Sequence, residues 1–193
     1  MYSKKRPKKL NNKTLSKYKK INKCRICNSK NLKIFLKFGK MPLAGGFIKK
    51  KDLLKQKTYP LTVAFCNQCK ETQILETIPS TVLFRDYRFV SSTTKTLSNH
   101  FIQYAKTMKK RFLDKNSLVV EFGSNDGVLL KPFNNLGVKA IGVEPSKNIS
   151  KLAKKSGCKV INDFFNLKTA KLIKKNQGKA SLICANNVFA HID

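Results

Sequence analysis

Apolar and polar positions alternate in blocks over the second half of the chain. Short apolar runs of strand character, such as Leu118–Phe122 and Ala140–Pro145, are separated by longer segments with helical apolar spacing. Two further strands are expected at Lys159–Phe165 and Ser181–His191, with helices near Gly127–Leu136, Ser146–Ser156 and Lys168–Lys175. Because strands that alternate with helices form parallel sheets, this pattern predicts an α/β fold with a parallel sheet.

The first half of the chain has weaker patterning. Residues 1–22 are rich in lysine and nearly free of apolar periodicity, and we interpret them as a disordered basic tail. Thr58–Cys66 alternates like a strand, and Leu97–Leu113 has the apolar spacing of a helix. Together with the cysteine motifs, the pattern predicts four parts: the tail, an N-terminal module over residues 23–90, a linker helix over 91–117 and a sheet domain over 118–193.

Four cysteines form two C-x-x-C motifs, Cys24 with Cys27 and Cys66 with Cys69. A two-residue gap lets both thiolates of a motif reach one ion, and the second motif completes a tetrahedral Zn²⁺ site. Four cysteine ligands leave no open position, so this zinc is expected to be structural and to supply folding free energy. The alternative is a redox role, which fits a single C-x-x-C better than a pair.

A glycine turn follows the first predicted strand of the sheet. Glu121 ends that strand, and Gly123 and Gly127 lie in the turn, where glycine lets the backbone approach a ligand. The spacing differs from the dinucleotide motif G-x-G-x-x-G and lacks the Lys-Ser/Thr of a phosphate loop. It resembles motif I of the class I S-adenosylmethionine (SAM) dependent methyltransferases, which implies SAM as cofactor. Asn125 and Asp126 would lie in the turn beneath this cofactor. Alternatively, Asp126 is a helix N-cap.

Polar residues also follow the second and third predicted strands, where ligands of such folds bind. Glu144, followed by Pro145, comes about twenty residues after the turn, where a carboxylate can accept hydrogen bonds from both ribose hydroxyls. Asp163 and Phe164 suit the adenine amino group and ring. Alternatively, Glu144 is only the neighbour of a helix N-cap. Asp163 is then an ordinary polar loop residue, and Phe164 is an aromatic residue of the core.

Two asparagines follow the fourth predicted strand. Asn186 and Asn187 match motif IV of the methyltransferases, which contacts the methionine half of the cofactor. Their alternative role is capping of the loop by side-chain hydrogen bonds.

The order of the motifs is more specific than any one of them. The first C-x-x-C is followed by G-x-x-P-L-A-x-x-F, Y-P-L, C-x-x-C-x-x-x-Q and L-F-x-x-Y-x-F-x-S-S. Over residues 24–193 this order resembles the sugar C-methyltransferases, which methylate C3 of nucleotide-linked 4-keto-deoxysugars. The resemblance implies a small zinc-binding N-terminal module followed by a Rossmann-like class I methyltransferase domain, with SAM as cofactor and a nucleotide-sugar substrate.

Two residues are candidates for the chemistry. Methyl transfer to carbon requires a base that removes a proton α to a ketone, and donors for the enolate oxygen. Tyr87 matches the family's active-site tyrosine, and His191 lies just past the fourth predicted strand. The resemblance implies catalytic roles for both, without deciding which is the base; a core tyrosine and a structural histidine are the alternatives. Phe89 departs from the pattern, because relatives often carry a second tyrosine there.

The chains of this family continue for about as long again. Their later Tyr-x-Glu-His group is absent here, and the fourth strand is expected to be an open edge. We therefore expect residues 118–193 to be a truncated methyltransferase domain. We expect the chain to be the front half of a longer protein, or of a split protein with a separately encoded C-terminal half, and to be inactive alone. The alternative is a decayed, non-catalytic remnant.

The net charge of +31, from 41 Lys and Arg against 10 Asp and Glu, is typical of proteins with a polyanion partner. The excess is lysine spread along the chain, so we do not expect nucleic acid as the main partner. A zinc-ribbon RNA-binding protein or RNA methyltransferase is the alternative function. No stretch approaches the ~20 apolar residues of a membrane span, and no secretory signal is evident, so we expect a cytoplasmic protein.

Overall fold

The chain divides into two compact units, Met1–Pro79 (unit 1) and Ser80–Asp193 (unit 2). The computed structural model describes residues 18–192, so most of the predicted basic tail lies outside the described residues. The strands of unit 1 are β1 (Lys19–Lys20), β2 (Leu32–Pro42), β3 (Thr58–Cys66), β4 (Thr72–Ile74) and β5 (Glu76–Thr77), and a 3-10 turn spans Lys50–Lys55.

Unit 1 is built on an antiparallel sheet in the order β2-β3-β4, and β1 pairs with β5. The strand predicted over Thr58–Cys66 is confirmed by β3, whose residues Thr62, Ala64 and Cys66 are buried at every second position. Glu76 is also buried, and its two carboxylate oxygens accept hydrogen bonds at 2.8 Å from the backbone N–H and the Oγ of Thr62. Each oxygen of this buried carboxylate therefore has a partner inside the unit.

Unit 2 is an α/β domain, as predicted. Its parallel sheet has the strand order β8-β7-β6-β9, with β9 at one edge. The elements in chain order are α1 (Ser80–Phe84), α2 (Lys95–Phe112), β6 (Leu118–Phe122), α3 (Leu130–Asn135), β7 (Lys139–Val143), α4 (Lys147–Lys155), β8 (Lys159–Ile161), α5 (Leu167–Gln177) and β9 (Leu182–Cys184). Within residues 18–192, no helix combines the length and apolar character that a membrane crossing requires.

The sheet of unit 2 is covered on both faces, because successive side chains of a strand point to opposite sides. Val119 packs in a cluster with residues of α2 and α3, whereas its neighbours Leu118 and Val120 pack in a second cluster with Ile173 of α5. All five residues of β6 are buried. A strand that is buried on both faces has a nearly continuous run of apolar residues, and this run is why the strand could be predicted from the sequence.

Three sequence-based bounds need correction in unit 2. The helix expected from Gly127 begins only at Leu130, because Gly127 has a φ of +85° and belongs to the turn; the N-cap of α3 is Leu129 and not Asp126. The third strand ends at Ile161, where a turn begins with the Asp163 N–H bonded to the Ile161 carbonyl at 3.1 Å. The fourth strand ends at Cys184, and a 3-10 turn spans Phe189–His191.

Candidate metal centre and cofactor site

The four cysteines of the two C-x-x-C motifs come together in unit 1. All four sulfur atoms lie within 4.8 Å of one another. Cys24 Sγ is 3.5 Å from Cys69 Sγ, and Cys27 Sγ is 3.6 Å from Cys66 Sγ. Tetrahedral zinc with bonds of about 2.3 Å holds its sulfur ligands about 3.8 Å apart, so the arrangement fits this ion.

The two cysteine motifs fold in the same way. In the first, the N–H of Asn28 donates to the Cys24 carbonyl at 3.0 Å; in the second, the N–H of Lys70 donates to the Cys66 carbonyl at 2.8 Å. Asn28 and Lys70 both adopt positive φ, at 59° and 66°. Each turn thereby directs two sulfur atoms and backbone N–H groups to one point.

Backbone N–H groups favour the thiolate form at both motifs. The N–H of Cys27 lowers the pKa of Cys24 to about 6, against the opposing effect of burial. The N–H of Cys69 likewise lowers the pKa of Cys66. At Cys69 the N–H of Glu71 acts in the same direction, but burial and the neighbouring cysteines raise the pKa to about 12. Since the thiolate is the form that binds metal, one cysteine of each motif is favoured for ligation before the ion arrives.

In unit 2, the glycine turn connects β6 to α3 through three residues of positive φ, Gly123 at 65°, Asn125 at 50° and Gly127 at 85°. A Cβ on Gly123 would lie 2.4 Å from Val188 Cγ2, and one on Gly127 would lie 2.8 Å from Cys158 Sγ. Both positions are therefore closed to other residues by contact as well as by backbone conformation.

The Glu144 carboxylate ties the glycine turn to the end of β7. Its Oε2 accepts from the N–H of Asn125 at 2.9 Å, and its Oε1 accepts from the N–H of Ser146 at 2.9 Å, with Pro145 between. The side chain is almost fully buried. Because a carboxylate oxygen can accept more than one hydrogen bond, both oxygens retain capacity for a ligand.

Several buried polar atoms near the ends of β6 and β9 have no hydrogen-bond partner among residues 18–192: Glu121 Oε2, Ser124 Oγ, Asp126 Oδ1 and Asn186 Nδ2. Burial raises the pKa of Glu121 to about 8; the neighbouring Asn186 amide opposes this although the two side chains do not meet in hydrogen-bonding geometry, and the charges of Glu144 and Asp126 add to it. Buried polar atoms without partners cost free energy, so their grouping points to a polar ligand. The ammonium and carboxylate of a methionyl group offer the matching donors and acceptors, so these residues fit SAM.

Asp163 and Phe164 lie just past the end of β8, together with a residue that the sequence did not indicate. Arg85 Nη2 is 3.8 Å from Asp163 Oδ1, and Arg85 Cζ lies 4.9 Å from the centre of the Phe164 ring. The same Asp163 oxygen accepts from the N–H of Phe164 at 2.8 Å. The pair expected for adenine is thus already in contact with a guanidinium group.

The residues after β9 differ in exposure. Asn186 is partly buried, whereas Asn187 and His191 are exposed. Val188, between them, packs against Gly123. No hydrogen bond or ring contact within the described part of the chain joins His191 to Tyr87, so the two predicted catalytic residues are not brought into contact.

Tyr87 is held by its backbone, and this contact was not evident from the sequence. Its N–H donates to Asn148 Oδ1 at 3.2 Å, and its carbonyl accepts from Asn148 Nδ2.

Tyr104 of α2 is a second tyrosine whose contacts the sequence did not indicate. Its hydroxyl is 3.9 Å from Cys184 Sγ. Burial, together with Cys184 and Glu121, raises the pKa of Tyr104 to about 12.

A cleft of about 460 Å³ lies on the outer side of the glycine turn. Its lining includes Asp126, Gly127, Lys106 and Lys131, but neither Glu144 nor Asp163. Of the residues expected to contact the cofactor, Asp126 and Gly127 line this cleft, whereas Glu144 and Asp163 follow the ends of β7 and β8.

Two protein families and one characterised relative match this chain. The family described as "Putative zinc binding domain" matches residues 24–84, and the family described as "Methyltransferase domain" matches residues 97–193. The C-methyltransferase NovU of Streptomyces niveus is 32% identical to this chain over 174 residues. That similarity covers 89% of this chain and 41% of NovU, so the chain spans less than half of this relative's length.

Proposed function

The chain belongs to the methyltransferase family, with a zinc-binding domain ahead of its methyltransferase domain, and from this premise we propose that it binds SAM and serves C-methylation of a nucleotide-activated keto-deoxysugar. The observation that carries the proposal is the set of unpartnered buried polar atoms around Glu121, next to the hydrogen-bonded Glu144 carboxylate. These groups meet at the carboxyl ends of parallel strands, where α/β folds bind ligands.

Each part of the cofactor has its own candidate residues. Glu144 accepts hydrogen bonds from the ribose hydroxyls while it continues to hold the N–H of Asn125. Asp163 and Phe164 take the adenine amino group and ring. The methionyl end lies against three residues with unpartnered buried atoms, Glu121, Asp126 and Asn186, and against the exposed Asn187. Gly123 and Gly127 give it access to the backbone. SAM, when bound, supplies an electrophilic methyl group on its sulfonium.

The substrate chemistry needs a base and a proton donor. A phenol and an imidazole serve these roles in enzymes, and Tyr87 and His191 carry them here. Both side chains are exposed, which leaves them accessible to a sugar. We propose that the other catalytic groups come from sequence that corresponds to the rest of the relative's length, on the same or a separate polypeptide.

The zinc in this proposal is structural. Four thiolate ligands fill a tetrahedral site and leave no position for substrate. A cytoplasmic location suits this site, because thiols stay reduced there.

The proposal is tested by calorimetric titration of the zinc-loaded chain with S-adenosylhomocysteine, the product form of the cofactor. We expect binding by the unchanged chain and a loss of about tenfold to a hundredfold in affinity for Glu144→Ala, since one residue loses hydrogen bonds to the ligand and to the turn. Glu71→Ala, which removes an exposed carboxylate of unit 1, is the matched control and should bind normally. Absence of binding, or equal binding by Glu144→Ala, would refute the proposal.

A further inference from the structure

Residues 84–91, which we call the strap, cross the ends of three neighbouring strands of unit 2. The strap contacts the turn after β6, the start of α4 after β7 and the turn after β8. The residues that it contacts at these three places are Asn125, then Ser146, Lys147 and Asn148, then Asp163 and Phe164. A single segment therefore bridges every turn that we assign to the ribose and adenine of the cofactor.

The start of α4 holds the first half of the strap. Ser146 Oγ donates to the Phe84 carbonyl at 2.7 Å, and the N–H of Lys147 donates to the Arg85 carbonyl at 3.1 Å. The carboxamide of Asn148 then binds both backbone polar groups of Tyr87. Fixing the N–H and the carbonyl of one residue also fixes the direction in which its side chain leaves the backbone.

The glycine turn holds the second half of the strap through Asn125. Its Oδ1 accepts from the N–H of Ser91 at 3.0 Å, and its Nδ2 donates to the Phe89 carbonyl at 3.1 Å. The backbone N–H of the same residue donates to Glu144 Oε2 at 2.9 Å. Asn125 thus connects the strap directly to the carboxylate that we assign to the ribose.

Arg85 gives the strap a third attachment, at the residues assigned to adenine. Its guanidinium lies 4.9 Å from the Phe164 ring centre and 3.8 Å from Asp163. Both partners are partly exposed, so this contact is weak and can rearrange when a ligand arrives.

We propose that Asn148 and Asn125 are positioning residues: they fasten the strap over the cofactor site and thereby place Tyr87, so that cofactor binding and the position of Tyr87 depend on each other. The proposal rests on the proposed function for its cofactor. By thermodynamic linkage, a ligand that tightens the strap binds less well when the strap is loosened.

The fastening is tested first without any ligand, by amide hydrogen exchange measured by NMR on the zinc-loaded chain. Asn148→Ala should accelerate exchange of the Tyr87 amide severalfold and leave that of Ser91 unchanged. Asn125→Gly, which tolerates the positive φ, should do the reverse. Asn176→Ala, at an exposed asparagine of α5, is the matched control and should change neither amide. Unchanged exchange at Tyr87 in Asn148→Ala overturns the positioning role.

The coupling is tested by adding S-adenosylhomocysteine to the same proteins. In the unchanged chain the ligand should slow exchange at Tyr87 and Ser91, and Asn148→Ala should weaken its binding two- to fivefold. Asn148→Asp keeps the acceptor for the Tyr87 N–H but places a carboxylate oxygen against the Tyr87 carbonyl, so it should restore slow exchange at Tyr87 only in part. Ligand binding without any change in strap exchange overturns the coupling and leaves the proposed function intact. If the unchanged chain binds no ligand, the proposed function and the coupling both fail, while the ligand-free experiment still decides the fastening.

Discussion

Unit 1 and unit 2 are held together in different ways. Among the described residues, unit 1 buries only five apolar side chains: Cys24, Tyr59, Ala64, Cys66 and Leu75. Two of these are metal-site cysteines, and Phe35 and Phe38 of β2 remain about half exposed. Unit 2 instead has apolar clusters on both faces of its sheet. Stability in unit 1 is therefore concentrated in one site, whereas in unit 2 it is distributed over many contacts.

Removing the metal is the strongest way to break this comparison. Structural zinc in small modules contributes apparent free energies of about 10–16 kcal/mol, so Cys66→Ser or chelation should unfold unit 1 and leave unit 2 folded. The zinc content should fall from about one ion per chain to less than about half, and hydrogen exchange should accelerate in β1 to β5 of unit 1 but not in unit 2.

The matched control is Cys158→Ser, which changes a buried cysteine of unit 2. It should lower the stability of unit 2 moderately without altering the zinc content. Equal zinc content in Cys66→Ser and Cys158→Ser would contradict the metal assignment.

The second test concerns the buried Glu121 of unit 2. Its pKa is raised to about 8 from an ordinary 4.5, so the folded unit keeps a proton that the unfolded chain loses first. The stability from this group is complete below about pH 4.5, falls as the pH rises and is lost above about pH 8. At 1.36 kcal/mol per pH unit, the total change is at most about 5 kcal/mol.

Glu121→Gln should remove that fall and make unit 2 more stable than the unchanged chain above pH 8. The measurement is urea unfolding at several pH values, followed by NMR signals of unit 2 so that loss of zinc from unit 1 does not interfere. The same pH dependence in both proteins would show that Glu121 is not the responsible group. Glu71→Gln, at an exposed position of unit 1, should leave the curve unchanged.

The smallest expected effect tests the distributed character of unit 2. Asn166 caps α5: its side chain accepts from the N–H of Thr169 at 3.0 Å, and Thr169 Oγ1 accepts from the N–H of Asn166 at 2.9 Å. Asn166→Ala should cost about 1 kcal/mol, measured by urea unfolding of unit 2. Asn166→Asp keeps the acceptor and should cost less. A complete loss of folding would mean that unit 2 is not stabilised by many small terms.

Much of the organisation was predictable, because its signals are local. The two C-x-x-C motifs, the strand β3, the helix α2 and the α/β alternation each depend on short-range patterns. The order of motifs also predicted a zinc-binding domain ahead of a methyltransferase domain, which the two family matches confirm. The residues assigned to SAM and to catalysis remain predictions.

The strap contacts were not predictable from local patterns. Tyr87 and Asn148 are 61 residues apart, and nothing in the neighbourhood of either one indicates the other. Arg85 belongs to a recognised motif, but only its position beside Phe164 gives it a role. The lengths of β8 and β9 were overestimated because apolar residues continue past Ile161 and Cys184, where the strands have already ended.

The pairing of β2 with β3 has a consequence for the kinetics of folding. Leu32, five residues past Cys27, lies opposite Cys66, so closure of this hairpin brings the second cysteine pair to the first. The 38 intervening residues make that closure cost about 3 kcal/mol in chain entropy. A zinc ion captured by one cysteine pair must therefore wait for the hairpin to close. At high zinc concentration, we therefore expect closure of the hairpin to limit the rate of metal uptake, so that this rate no longer depends on the zinc concentration.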